Sequence, residues 1–400
     1  MKKSLTIVLT GGGSGGHITP LLSLAHALKK ASPKCYIVYI GLKGETLENS
    51  LQARYQIFDE VRSIPSGKFR RYYGESLLAH LVDVRTIALN IRDIFRVLAG
   101  FRSARKILRQ IKPNIVFSKG GFVAVPVGLA ARLQKIPIVT HDSDTVPGLA
   151  NRIIGRFAQV HATGMPAKYH SYPEETVHYV GIPLDERIKP VTAQMQKDLK
   201  KQLGLPKDAL TLLFSGGGLG AQDINKKAVV AAPELLTRFK NLHIIHITGQ
   251  KHEPEVKEKY QDSAPDDMDR VKVIGFTPDF SIYTGAADLV ITRAGATTIA
   301  ELAAQRKAVI LIPAPHLTGG QQLKNAKELE RHKAVLVIAN EADDTTLLKA
   351  ITKVLEDDAK RRQLSDKLGS LAKVDAANKL AEILLDVAKQ HRNKSTNVGQ

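Results

Sequence analysis

Short runs of Val, Ile and Leu recur along the chain. They alternate with longer stretches in which apolar residues return every three or four positions. The runs at 5–10 (LTIVLT), 35–41 (CYIVYIG), 114–120 (NIVFSKG), 137–143 (PIVTHDS) and 177–181 (VHYVG) are Val/Ile-rich rather than alternating. That is the pattern of parallel strands buried on both faces. Between them the spacing is helical, as in PLLSLAHALKKA at 20–31. After GIPLDERIKPVTAQ the order restarts with LTLLFSGGGLGAQDINKKAV (210–229), and further strands follow at 243–249, 271–276, 289–295, 308–315 and 335–340. This β-α-β alternation predicts an α/β fold with parallel sheets, and the restart predicts two similar halves joined near 182–194. An amphipathic helix over about 374–390 closes the pattern, and the polar tail HRNKSTNVGQ is expected to be disordered.

Composition narrows the class. A chain of 400 residues with 43% hydrophobic content holds two ordinary cores. The single cysteine, Cys35, excludes a disulfide framework; placed in a strand, it reads as a buried, inert thiol. MKK is followed by glycines and not by a long apolar segment, so no signal peptide is expected. No run reaches the length of a membrane-spanning helix.

Charge changes the picture more. The formal net charge is +19, and residues 61–113 carry twelve Lys/Arg against three Asp/Glu. Such a balance points to anionic partners: nucleic acid, a membrane surface or phosphorylated ligands. Within it, NIRDIFRVLAGFRSARKILRQ (90–110) reads as a basic amphipathic helix, with Ile91, Ile94, Phe95, Leu98 and Phe101 on one side and Arg92, Arg96, Arg102 and Arg105 beside them. Its apolar face either packs on a core or, with GKFRRYYG at 67–74, meets an anionic membrane surface. Residues Phe69, Arg70, Arg71, Arg92, Phe95, Arg96 and Phe101 are the candidate membrane contacts. RNA binding wants aromatics interleaved with the basic residues. Phe69, Tyr72 and Tyr73 are the only local ones, so no nucleic-acid partner is expected.

The candidate chemistry sits in glycine loops. GGGSGGHITP (11–20) contains G-x-G-x-x-G as Gly11, Gly13 and Gly16, but the next strand ends in Gly41-Leu42-Lys43-Gly44 without the acid a dinucleotide ribose needs. There is no P-loop either. One such loop can be merely a tight strand-to-helix turn; two, one in each half, favour a shared cleft. Free amides and a helix N-terminus attract phosphate or a developing anion. With Thr19 as helix cap and Pro20 as first helical residue, His17 stands just outside a positive helix end. It is either a neutral imidazole that takes a proton from an attacking hydroxyl or a histidine that caps the turn. In the second half, ITRAGATTIAELAA (291–304) opens a helix near Thr297, with Thr298 and Glu301 on its first turns. Glu301 can accept both hydroxyls of a ribose or serve the helix end as a cap. Gln321 and Gln322 follow a further glycine pair, and their amides suit sugar hydroxyls.

Taken in order, GGGSGGHITP, KGGFVAVPVGLAA (119–131), HDSDTVPGLANR (141–152), GGGLGAQDIN (216–225), RAGATTIAELAA and GGQQLKNA resemble the motif blocks of a known family. It is the MurG family of bacterial N-acetylglucosaminyltransferases, in glycosyltransferase family 28, and the resemblance runs from about residue 5 to 385. It implies the GT-B fold, two Rossmann-like parallel-sheet domains facing across a cleft. Residues 1–185 would form an acceptor- and membrane-binding domain and 186–373 a UDP-sugar-binding domain; a C-terminal helix in 374–400 would pack back on the first. The implied reaction is inverting transfer of N-acetylglucosamine from UDP-N-acetylglucosamine to the 4-hydroxyl of undecaprenyl-pyrophosphoryl muramyl-pentapeptide. It needs no metal or other cofactor, and the enzyme is peripheral to the cytoplasmic face of the bacterial cell membrane. His17 would be the catalytic base, with Ser14, Gly15 and Gly16 near the transfer point. Glu301 would hold the ribose and Gln321 and Gln322 the sugar; Phe276, Thr277, Ala296, Thr297, Thr298, Ile299 and Ala300 would line the nucleotide. Alternatives are a different lipid acceptor, such as diacylglycerol, or a non-catalytic nucleotide-sugar-binding protein.

The chain departs from the family pattern in three places. His141-Asp142-Ser143-Asp144 stands where the family usually has His-Glu-Gln-Asn, putting Asp144 at a donor-contacting position. Asp185 takes a common arginine position, with Arg187 as its substitute, and Gly218-Leu219 replaces Ser-Gln in the second glycine loop. Asp142-Ser143-Asp144 also spells D-x-D, a cation-binding motif of another glycosyltransferase architecture; the two-half layout argues against a metal here.

Overall fold

The computed structural model describes residues 5–12, 15–44, 56–68, 84–315 and 320–397, with backbone alone at 15–17, 84–85 and 394–397. The chain divides into two compact units, one of residues 1–186 with 373–400, the other of 187–372.

The first unit is built on seven parallel strands: β1 (Thr6–Thr10), β2 (Tyr36–Leu42), β3 (Glu60–Ile64), β4 (Ile115–Ser118), β5 (Ile138–Asp142), β6 (Val160–Thr163) and β7 (Val177–Tyr179). They lie in the order β3-β2-β1-β4-β5-β6-β7. The period of two sorts their side chains between two cores. Ile7, Leu9, Ile37, Tyr39, Ile115 and Phe117 meet helix α1 (Gly15–Ala31) and the C-terminal helix α13 (Ala376–Asn397) through Leu21, Leu24, Leu28, Leu380 and Leu384. Val8, Val38, Ile40, Val116 and Ile138 point the other way. They meet α2 (Val84–Ile111) and α3 (Ala124–Leu133) through Ala104, Leu108, Val127 and Ala131. Each fully buried Leu or Ile of this kind contributes about 1.5–3 kcal/mol. A short helix, α4 (Leu149–Ile154), follows β5.

The second unit repeats the plan with six parallel strands: β8 (Leu210–Ser215), β9 (Leu242–Ile247), β10 (Val271–Ile274), β11 (Leu289–Thr292), β12 (Ala308–Leu311) and β13 (Leu336–Val337). Their order is β10-β9-β8-β11-β12-β13. Its helices are α5 (Ala193–Gln202), α6 (Gln222–Arg238), α7 (Glu253–Ser263), α8 (Phe280–Ala286), α9 (Ala296–Ala304), α10 (Gln321–Arg331), α11 (Asp344–Glu356) and α12 (Asp358–Ser370). Leu212, Phe214, Ile244 and Ile291 face α6 and α11, while Leu213, Ile245, Val290 and Val309 face α9 and α10.

Two strands escaped the hydrophobic reading. β3 is an edge strand whose sequence, EVRSI, buries only Ile64 fully. β6 is interior but polar: the hydroxyl of Thr140 meets His161 Nδ1 at 2.9 Å, satisfying a pair that hydropathy alone does not place inside. The tail expected to be disordered is instead helical to Asn397, because no Gly or Pro interrupts α13 before that point. Cys35 is buried and its thiol is raised above the usual range, chiefly by desolvation. Among the described residues, no helix is long and apolar enough to cross a membrane.

Candidate active site

In open parallel sheets, ligands collect beyond the C-terminal strand ends where the strand order reverses. In the first unit that point lies between β1 and β4. The loop after β1 begins with Gly11 and Gly12, and the loop after β4 is Lys119-Gly120-Gly121. The two press together: Gly121 has φ +82°, and a Cβ there would overlap the Gly12 carbonyl oxygen. Tyr39 donates its hydroxyl to the Gly11 carbonyl at 2.7 Å, and the Lys119 amide donates to the Thr10 carbonyl at 2.9 Å. Helix α1 starts at Gly15, not at Thr19 or Pro20. The first four amides of a helix need no acceptor within it, and the glycine pair places no side chain in the way. His17 is therefore the third residue inside the helix, and Pro20 lies within it with no N–H for the Gly16 carbonyl. Gly15, Gly16 and His17 remain at its positive end. Ser14 and the side chain of His17 lie outside the described residues.

The turn after β5 adjoins these loops. His141 is fully buried, with Nε2–H donating to the Gly181 carbonyl at 2.8 Å. Burial, followed by the nearby Lys119 charge, holds its pKa well below the ordinary histidine value. Asp142 accepts from Asn151 Nδ2 at 3.0 Å and from the Tyr172 hydroxyl at 2.9 Å. Desolvation still pushes its carboxyl upward. Asn151 also donates to the His141 carbonyl at 2.9 Å and receives the Ser118 hydroxyl at 3.0 Å, so the ends of β4 and β5 are tied together. Lys119, missed in the sequence, reaches into this turn and donates to Ser143 Oγ at 2.6 Å. Asp144 is half-buried in the same turn. Arg187 is exposed in the turn where the chain passes out of the first unit.

In the second unit the reversal falls between β8 and β11. The loop Gly216–Gly220 follows β8 and lies against the end of β9, where a Cβ on Gly220 (φ +77°) would overlap the Thr248 carbonyl. Gly218 is exposed with open space around it, and Leu219 is 91% exposed. After β11, Arg293 locks the strand end: its guanidinium donates to the Ile312 carbonyl at 3.0 Å, Asn340 Oδ1 at 2.7 Å and Asp223 at 3.1 Å. Helix α9 then opens at Ala296 on a Gly295 cap that makes no side-chain hydrogen bond. Thr297, Thr298, Ala300 and Glu301 are half-buried. Ala296 and Ile299 are buried, Ile299 within the core between α9 and the sheet.

Gln321 and Gln322 open α10 after Gly320, and Gln322 Oε1 accepts the Ala314 amide at 2.9 Å. That bond commits the carbonyl end of the amide. Phe276, 55% exposed, and Thr277 follow β10 at the sheet edge; Thr277 Oγ1 accepts from the Asp279 amide at 3.1 Å. Among the described residues, no three His, Cys, Asp or Glu side chains form a set able to hold a metal ion.

Helix α2 carries the remaining candidates. Its inward face is Asp93, Gly100, Ala104 and Leu108. Ile91, Ile94, Phe95 and Leu98 form one stripe and are 51%, 51%, 67% and 47% exposed. Phe101 belongs elsewhere: it packs against the core beneath the helix. Arg92 and Arg96 flank the stripe but share the buried Asp93 carboxylate, at 3.1 and 3.4 Å. Counting arginines in the sequence thus overstates the charge at this spot. Phe69, Arg70 and Arg71 lie outside the described residues.

Comparison with known proteins places this geometry. Residues 7–163 match the glycosyltransferase family 28 N-terminal domain and residues 211–380 the family 28 C-terminal domain. Curated relatives named UDP-N-acetylglucosamine–N-acetylmuramyl-(pentapeptide) pyrophosphoryl-undecaprenol N-acetylglucosamine transferase include one from Halothermothrix orenii, 35% identical, and one from Listeria monocytogenes, 31% identical. Each alignment covers 96% of this chain and all of the relative. The crystal structure of Acinetobacter baumannii MurG superposes with a TM-score of 0.69 at 24% identity, over 96% of this chain and 99% of that one. A Neisseria meningitidis UDP-GlcNAc 2-epimerase bound to UDP-GlcNAc gives 0.68 at 13%, over 96% and 100%. These structural likenesses show the fold, two Rossmann-like α/β units of the GT-B type.

Proposed function

The chain belongs to glycosyltransferase family 28, and from that membership we propose that it transfers N-acetylglucosamine from UDP-N-acetylglucosamine to the muramyl sugar of an undecaprenyl-pyrophosphoryl muramyl-pentapeptide. The observation that carries the reading is near-full-length similarity, 30–35% identical, to enzymes named for that transfer. In the proposed mechanism, His17 takes the proton of the acceptor 4-hydroxyl as its oxygen attacks C1 of the sugar. The C1–oxygen bond to UDP breaks from the opposite face, inverting the centre. The charge of the departing UDP is offset by the positive N-terminal end of α9. Glu301 receives the ribose hydroxyls, while Gln321 and the Gln322 NH2 group face the sugar.

The test is UDP release from UDP-N-acetylglucosamine with and without a muramyl-pyrophosphoryl lipid. Release dependent on that lipid is expected. Release with diacylglycerol instead would reassign the acceptor, and binding without release would make the protein a nucleotide-sugar binder. Replacing Glu301 by Ala should weaken donor affinity by about 10–100-fold, the value of a charge-assisted bond or two, with kcat changed far less. An unchanged donor KM would remove Glu301 from the site.

We also propose that the α2 stripe seats the enzyme reversibly on an anionic membrane surface at the cytoplasmic face. An exposed apolar stripe beside cations suits such a surface. Each uncompensated basic residue adds roughly 1 kcal/mol, and each inserted large apolar side chain adds about 1.5–3 kcal/mol. The Ile94→Asp/Phe95→Asp double variant should lose at least about tenfold in binding to anionic liposomes at low salt, with an unchanged Tm because both positions are already exposed. Undiminished liposome binding would put the contact elsewhere.

A further inference from the structure

One tyrosine hydroxyl sets the direction of a hydrogen-bond chain that ends at the glycine loops of the first unit. Asp142 is 5% exposed at the end of β5. An ionised carboxylate only accepts, and here each oxygen has its donor: Asn151 Nδ2 on Oδ1 at 3.0 Å and the Tyr172 hydroxyl on Oδ2 at 2.9 Å. Burial pushes the carboxyl pKa upward, and these two donors favour the ionised form. The acceptor then decides how the next group lies. With its NH2 group turned to Asp142 and to the His141 carbonyl, Asn151 presents Oδ1 to Ser118. The Ser118 hydroxyl donates there at 3.0 Å, which leaves its oxygen to accept the Gly120 amide at 3.2 Å. Gly121, next in the same turn, abuts the Gly12 carbonyl in the loop leading into His17. An Asn151 amide turned the other way would set its own oxygen against the carboxylate and break the chain.

Tyr172 reaches this chain from the loop between β6 and β7, and nothing in the sequence singles it out. Its ring stacks on His161 with centroids 3.7 Å apart and planes within 3°. His161 is held in turn by the Thr140 hydroxyl at 2.9 Å. The ring edge passes Gly155, where an added Cβ would stand 2.9 Å from Cε1. A ring gripped on two sides carries its hydroxyl to a fixed place.

We infer that Tyr172 is a positioning residue: its hydroxyl fixes Asp142 and, through Asn151 and Ser118, holds the Gly120–Gly121 turn against the loop that leads into His17. This rests on the transferase reading above, with His17 as the base. Tyr172 then acts on turnover and not on donor affinity, because the donor-binding residues assigned above belong to the other unit.

Tyr172→Phe keeps the stacked ring and removes the hydroxyl alone, so it is the variant to measure. Its kcat should fall by about tenfold, less than the ~10²-fold that a 1 Å misplacement can cost. KM for UDP-N-acetylglucosamine should stay within about threefold. Hydrogen exchange, read by mass spectrometry, should quicken over residues 117–122. In a Ser118→Ala background, where the chain is already cut, adding Tyr172→Phe should cost less than about threefold further. A lowered Tm with wild-type kcat would reduce the hydroxyl to a stability element and overturn the inference. Equal penalties in the two backgrounds would do the same, since the effect would then travel by another route. If Ser118→Ala does not fold, the exchange measurement on Tyr172→Phe decides, and an unchanged rate over 117–122 overturns the inference. A wild-type protein that transfers no sugar, while Tyr172→Phe still loosens 117–122, would sink the transferase reading and leave the positioning of the turn standing.

Discussion

Replacing His17 by Ala should lower kcat by about 10²–10⁴-fold, the contribution of a positioned general base, while affinity for UDP-N-acetylglucosamine stays within about threefold. The expectation follows from where the residue sits. His17 is in the first turn of α1, beside the glycine pair that opens it, at the end of a helix that repels a proton. The donor-binding residues assigned here, Glu301, Gln321 and Gln322, all belong to the other unit, so removing the base should spare donor affinity. Steady-state kinetics and donor titration on the purified variant decide the matter. A His17→Ala enzyme with near-wild-type turnover would show that the hydroxyl loses its proton to another group.

The second large effect concerns backbone and not chemistry. Gly121→Ala should destabilise the first unit by about 3 kcal/mol, combining left-handed backbone with overpacking, and lower Tm by about 6–12 °C. Turnover should fall with it, because the Gly12 carbonyl that meets the new methyl belongs to the loop leading into His17. The matched control is Gly218→Ser. That glycine is exposed, has no atom near a built Cβ and does not need left-handed backbone, so serine should be accommodated without loss of stability. Thermal unfolding of the two variants makes the comparison. A Gly121→Ala protein as stable as the wild type would mean the two loops are free to part.

Much of this architecture is legible in the chain because its strands are buried on both faces. Runs such as LTIVLT and LTLLFS need no alternation to be recognised, and the restart after GIPLDERIKPVTAQ reports the second unit. What escaped was structure whose burial is partial or polar. EVRSI pairs on one edge only, and VHAT hides a histidine that a neighbouring threonine satisfies. The site shows the same limit. Glycines at the reversal points are visible because nothing else fits there. That Ile299 turns into the core while Thr298 and Glu301 do not depends on where α9 starts, which GATTIAELAA leaves ambiguous by a residue. Lys119 was passed over because one lysine after an apolar run looks like the solvated end of a strand; only tertiary structure shows it buried and bonded to Ser143.

Helix α13 has a consequence for how the protein is made. It completes the first unit, yet residues 187–372 of the second come between it and the rest of that unit. At roughly 5–20 residues per second, a ribosome leaves Ile7, Leu9, Leu21 and Leu28 without their partners Leu380 and Leu384 for some 10–40 s. The half synthesised first is thus the half that finishes folding last. Its uncovered face during that interval is the place where a nascent-chain chaperone has most to protect.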